Sequence, residues 1–175
     1  MIALVAMAGA CGSSGSTTTS SVTPTPTPTP SPKETLIAKA DACTLVTAAD
    51  VLSATGTTVA SGTNGVQIPG ACIYASADGA TSVFVFAQTY SDASSAQAIS
   101  PEQVAAAFNG VFGIANATVV NGIGDKAIEY SSTSGGSTGA VIFVFKSNVV
   151  LLINLTPATG MSAIEQLART AVGRL

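Results

Sequence analysis

Gly135-Gly-Ser137-Thr-Gly139 has the form G-x-S-x-G, in which a serine on a sharp turn becomes a nucleophile. That chemistry needs a base to take the hydroxyl proton, and the 175-residue chain holds no histidine. A lysine can serve instead in Ser-x-x-Lys, but the residues three before Lys33, Lys39, Lys126 and Lys146 are Pro30, Leu36, Ile123 and Phe143. Ser137 therefore reads as part of a Ser/Gly-rich hairpin loop. Asp92, Glu102, Asp125 and Glu129 supply carboxylates, yet nothing in their spacing sets two across a cleft as glycoside hydrolysis requires. Each is expected to be solvated or to cap an element. Two cysteines without histidine make a poor metal-ligand set. No catalytic residue, metal site or cofactor is expected, and the chain reads as non-enzymatic.

Gly122-Ile-Gly124-Asp125-Lys126-Ala127 fits the start of a dinucleotide fingerprint, but a short β-like run follows and no acid lies about 20 residues on. It reads as a tight glycine turn with Asp125 bonding its own backbone. The same turn is the candidate ligand site. Gly122 and Gly124 leave backbone N–H groups uncovered, and Lys126 adds one positive charge beside Asp125, a setting for a small polar or anionic group. Tyr74 and Tyr90 fall on strand-like runs, where aromatic side chains serve as core or cross-strand pairs more often than as pocket walls.

Charge is sparse. Six Lys and Arg against nine Asp and Glu leave a net charge of −3, with Lys39, Lys126, Lys146, Arg169 and Arg174 scattered. Nucleic acid, which demands a basic stripe, is not an expected partner.

Residues 1–32 are built differently. Residues 1–10 are apolar or small and end in Ala8-Gly-Ala10 ahead of Cys11, the order of a signal peptide followed by a lipid-acceptor thiol. Ala8 stands where such a motif usually has Leu, and no Lys or Arg precedes Cys11, so the leader is expected to extend upstream of Met1. Ten apolar residues are too few to span a bilayer, which needs roughly 20. Residues 11–32 then form a Ser/Thr/Pro tether whose Thr-Pro repeats favour extended polyproline II at ~3.1 Å per residue. The membrane, reached through lipid on Cys11, is the expected partner, and the extracytoplasmic face the expected location.

Residues 33–175 are expected to form one globular domain. Thr47-Ala-Ala-Asp50 reads as a capping box opening a short helix that stops at Gly56. Ala71–Ser76 and Thr81–Tyr90 read as strands joined by a hairpin at Asp78-Gly79. Ser100-Pro-Glu-Gln103 opens a second helix with Val104, Ala107, Phe108, Val111 and Phe112 as its core stripe. Thr118–Val120, Lys126–Ser131, Ala140–Lys146 and Val149–Leu155 read as strands, and Thr156–Leu175 as a closing amphipathic helix. Val83–Phe86 and Val141–Phe145 are apolar at successive positions, as strands covered on both faces are, and are expected to be partners or a worn internal repeat. The expected fold class is α+β, a mainly antiparallel β-sheet with two to three helices packed on it and one disulfide.

With Cys11 lipidated in an oxidising compartment, Cys43 and Cys72 remain as a pair for that disulfide. Cys43-Thr-Leu-Val-Thr-Ala-Ala-Asp-Val51, Cys72-Ile-Tyr74 and Gly122-Ile-Gly-Asp-Lys-Ala127 ahead of paired strands and a terminal helix resemble the small Cys-paired lipoproteins of Gram-positive bacteria. Related domains serve as extracellular sensors of receptor kinases, and others resemble the Mog1/PsbP-type sheet-and-helix fold. The resemblance covers nearly all of residues 41–175 and implies the same disulfide and an extracytoplasmic setting; it brings no catalytic residue. The function expected is a lipid-anchored, non-catalytic binding or sensing module. The alternative is an accessory envelope lipoprotein that docks on a membrane complex, which an exposed apolar patch would favour.

Overall fold

The computed structural model describes residues 35–65, 68–134, 136–158 and 160–175, so Cys11, the leader and the tether lie outside the described residues. Among the described residues, five helices and seven strands follow one another as α1 (Ala42–Leu45), α2 (Ala48–Thr55), β1 (Thr63–Asn64), β2 (Ala71–Ala75), β3 (Ser82–Thr89), α3 (Ala93–Gln97), α4 (Pro101–Phe112), β4 (Ala115–Val120), β5 (Lys126–Ser134), β6 (Ser137–Lys146), β7 (Val149–Thr156) and α5 (Ser162–Val172). The strands form one antiparallel sheet in the order β1-β2-β3-β7-β6-β5-β4. This is the expected α+β class with the expected disulfide, Cys43–Cys72.

Local chemistry explains the element ends. Thr47 and Asp50 close a capping box on α2, and Gly56 (φ 72°) ends it with its N–H on Leu52 O at 2.8 Å. Ser100 and Gln103 do the same for α4, with Pro101 in its first turn. The closing helix starts at Ser162 instead of Thr156, because Thr156 still pairs with Ser82 in the sheet. Elements α1, α3 and β1 were not expected; each is too short to show periodicity.

The sheet separates two apolar layers. On the inner face, Ile164, Leu167, Ala168 and Ala171 of α5 and Val51 of α2 pack with Val83, Val85, Ile142, Val144, Leu151 and Ile153. On the outer face, Phe108 and Phe112 of α4 pack with Phe84, Phe86, Phe143 and Leu152. Strands β6 and β7 are therefore buried on both sides, as consecutive apolar residues require. Two expectations change. Val83–Phe86 and Val141–Phe145 are not partners, since β7 lies between their strands. Helix α4 rests on a Val104–Phe108–Phe112 ridge spaced by four, which turns Ala107 and Val111 outward, Val111 to 53 % exposure.

Arg174 fastens the C-terminus. It donates to Leu45 O at 2.8 Å and makes a forked pair with Asp50 at 2.6 and 3.0 Å. That guanidinium, with help from Thr47 and against the effect of burial, holds the Asp50 carboxyl down at about 2. A carboxyl lowered on folding stabilises the protein above its unfolded value and loses that contribution as pH falls. Arg174→Ala should thus cost about 1.5 kcal/mol at pH 7, a value discounted for partial exposure. In thermal melts the gap from the parent protein should narrow between pH 4 and pH 2, and a gap that widens there would refute the assignment.

Candidate functional site

Helix α4 is a narrow ridge. Ala105, Ala106, Ala107 and Gly110 give it little width, so only its phenylalanines reach far into the sheet face. Phe112 sits 5.4 Å from Phe84 and Phe108 5.9 Å from Phe86, with Phe108 and Phe112 stacked on each other at 5.9 Å. Space is left on both flanks.

On the β4 side the helix ends at Gly113 (φ 56°), where a Cβ would stand 2.6 Å from Thr133 O. The chain enters β4 through a register shift between Ala115 and Thr118 that holds Asn116 at φ 56°. A bulge with a left-handed non-glycine residue re-aims side chains and is over-represented at functional sites. Here it makes room for a hollow of about 330 Å³ between α4 and β4. Asn109 and Asn116 line it, with Glu102 at the start of the helix and Tyr130 of β5 among the walls. Asn109 Oδ1 accepts from Ile114 N at 2.9 Å, and Asn116 Nδ2 donates to Ser131 Oγ at 3.0 Å, so both amides are held in place.

Tyr130 is 6 % exposed and its ring meets Phe143 edge-on at 5.6 Å. Burial, and then the Glu102 charge, push this phenol up, which keeps it a neutral donor and acceptor. On the other flank of α4 a hollow of about 220 Å³ is walled chiefly by apolar side chains, with Phe86, Tyr90, Ile99 and Leu152 among them. Tyr90 is thus a pocket wall, whereas Tyr74 is core and donates its hydroxyl to Val46 O.

The glycine turn singled out in the sequence connects β4 to β5, and its residues have structural work. Gly122 O accepts from Arg169 Nη1 at 3.0 Å. A Cβ on Gly124 would lie 2.6 Å from Val144 Cγ1 and 2.7 Å from Phe145 O, and Ile123 between the two is 2 % exposed. Asp125 does not bond its own backbone. It accepts from Ser147 N at 2.6 Å and pairs with Lys146 at 3.0 Å, joining this turn to the β6–β7 turn. Asp125 and Lys126 do share a hollow of about 280 Å³ with Gln97 and Phe145, and Lys126 Nζ stands 5.8 Å from the Phe145 ring.

The four sequence carboxylates are not brought to one cleft. Asp92 caps α3, Glu102 lines the Tyr130 hollow, Asp125 ties two turns, and Glu129 of β5 is buried at 7 % exposure with Oε2 unpartnered. Ser137 opens β6 in the β5–β6 hairpin, of which Gly135 lies outside the described residues. Among the described residues no group of three or more His, Cys, Asp or Glu could hold a metal ion.

Glu129 offers a test of the burial. Desolvation, and secondarily the Glu165 charge, raise its carboxyl above the ordinary value of 4.5. Below that value folded and unfolded chains are both protonated; above it the unfolded chain ionises first, so folding loses stability until the folded value is passed. Glu129→Gln should therefore stabilise the domain by about 1 kcal/mol at pH 7 and leave it unchanged near pH 4. Thermal melts at the two pH values decide, and equal effects at both would contradict the assignment.

No protein-family model matches the chain, and no curated protein matches it. The class that the fold defines is an α+β domain with a disulfide and with open hollows flanking a helix on its outer face.

Proposed function

We propose that this chain is a non-catalytic binding module, held on the extracytoplasmic face of a membrane by lipid on Cys11, and that it takes a small polar ligand in the hollow between α4 and β4. The observation that carries the reading is the hollow of about 330 Å³ that gathers the polar residues Asn109, Asn116, Glu102 and Tyr130 in one wall. Each hydrogen bond that a ligand makes to these side chains contributes about 0.5–1.5 kcal/mol. The Cys43–Cys72 bond supports an oxidising compartment, and the Thr-Pro run supports a tether. Docking on a membrane complex is less favoured, because the exposed large apolar residues are spread over Leu36, Leu52 of α2, Ile73 of β2, Val111 of α4 and Val119 of β4.

Native mass spectrometry of the full-length protein extracted from its source membranes tests the reading. A small molecule should co-purify and be lost in Tyr130→Phe, while Cys11→Ser should move the protein from membranes to the soluble fraction. A Tyr130→Phe protein that keeps its ligand, or a Cys11→Ser protein that stays membrane-bound, would overturn the corresponding half.

A further inference from the structure

Asparagine is followed by glycine at Asn64-Gly65, Asn109-Gly110 and Asn121-Gly122. In such a pair the glycine backbone nitrogen can attack the asparagine side-chain amide, because the second residue has no Cβ to obstruct the approach. The attack needs a nitrogen not committed to a hydrogen bond and a backbone free to fold back on the side chain. The fold meets that need differently at the three places.

Gly65 N donates to Ala71 O at 2.9 Å, and a Cβ on Gly65 would stand 3.1 Å from Ala71 Cβ, so this nitrogen is both committed and crowded. Gly110 lies inside α4, where N–H groups are committed to carbonyls four residues back, and Asn109 Oδ1 already accepts from Ile114 N at 2.9 Å. Asn121 differs from both. It is exposed and lies beyond the last β4–β5 pair, Val120↔Ala127, and Gly122 N makes no hydrogen bond among the described residues. Gly122 is itself exposed at φ 75°, and the single atom within 4 Å of where its Cβ would stand is Arg169 Nη1, at 3.9 Å. Arg169 Nη1 holds the carbonyl of this glycine at 3.0 Å and leaves its nitrogen to solvent.

We propose that Asn121 is a site of spontaneous covalent modification, at which the chain converts its own side chain to aspartyl and isoaspartyl forms through a cyclic imide. A base removes the Gly122 N–H proton and the nitrogen attacks Asn121 Cγ. The new bond closes the ring, the bond from Cγ to the side-chain nitrogen breaks, and that nitrogen leaves as ammonia with a proton from water. Water then opens the ring: breaking the N–Cγ bond gives aspartate, and breaking the bond to the backbone carbonyl carbon gives isoaspartate. No electrons are gained or lost. Either product adds one negative charge to a chain of net charge −3, and the isoaspartyl form lengthens the connection between β4 and β5 by one carbon. Ala115, Asn116 and Ala117 of β4 wall the hollow beside α4, so the altered turn is the one that joins this wall to β5.

The test compares the folded full-length protein with the same protein unfolded in denaturant, both held at pH 8 and mapped by proteolysis and mass spectrometry. In the unfolded chain the three asparagines should convert at similar rates, since each precedes glycine. In the folded protein Asn121 should convert at nearly its unfolded rate, while Asn64 and Asn109 lag by about tenfold or more because each waits for a local opening. Both aspartyl and isoaspartyl peptides are expected, and Asn121→Gln should remove the fast conversion without changing the other two rates. An Asn121 as protected in the folded protein as Asn109, or one that yields aspartate alone, would overturn the proposal.

Discussion

Replacing Cys43 and Cys72 together by alanine should lower the unfolding free energy by about 3.5 kcal/mol, the loop-closure entropy released when a bond joining residues 29 apart is removed. Cys72 is fully buried on β2 in the inner layer, and Cys43 sits in α1. Helix α1 is four residues long and cannot hold itself against the sheet by propensity. Without the bond its attachment falls to Leu45, Ala42 and the Tyr74 hydroxyl on Val46 O. A domain of this size should melt roughly 10 °C lower. Chemical denaturation under non-reducing conditions measures the effect, and a loss below about 1 kcal/mol would mean that the unfolded chain is already constrained without the bond.

Asn148→Ala should cost about 3 kcal/mol, roughly 1 kcal/mol for each of three hydrogen bonds lost at a site that is 2 % exposed. Asn148 Oδ1 accepts from Ile37 N at 2.8 Å, while Nδ2 donates to Ile37 O at 2.9 Å and Tyr90 O at 2.8 Å. The amide acts as a strand partner for residue 37, and alanine leaves three backbone groups without it. Asn148→Asp should be similarly damaging, because a carboxylate cannot donate to the two carbonyls. Amide hydrogen exchange at Ile37 reports the local loss; full protection of Ile37 in the alanine variant would contradict this account.

Much of the fold was legible because its signals are local. The Thr47 and Ser100 capping boxes, the Asp78-Gly79 hairpin and the α5 stripe of Ile164, Leu167, Ala168 and Ala171 follow from a few neighbouring residues. The strand order was not legible, since no local pattern says that β7 enters between β3 and β6. The Tyr130 hollow was illegible for a related reason: it depends on a bulge at Asn116, on how far α4 rolls about Phe108 and Phe112, and on β5, the second element after that helix. Asn116 at a positive φ was the one available signal, because asparagine tolerates that region better than most residues. Glycines drew attention to residues 122–126, but glycine also marks close packing, and Gly124 against Val144 is that case.

A pull on the chain ahead of Thr35 reaches the domain along a definite mechanical path. The Ser147 hydroxyl on Thr35 O at 3.3 Å bears it first, followed by the Asn148 amide at Ile37 and then the bond from Ala40 N to Thr89 Oγ1 at 3.0 Å. These links can yield one after another, releasing residues 35–42, or about 27 Å of extended chain at the usual reach per residue. At Cys43 the path meets a covalent bond to Cys72, which belongs to a strand paired with β3 from Ala71↔Phe86 to Ala75↔Ser82. Extension stops there unless the sheet itself shears. The disulfide thus divides the N-terminal segment into a short extensible lead and a load-bearing body, so tension on the lead leaves the hollows beside α4 intact.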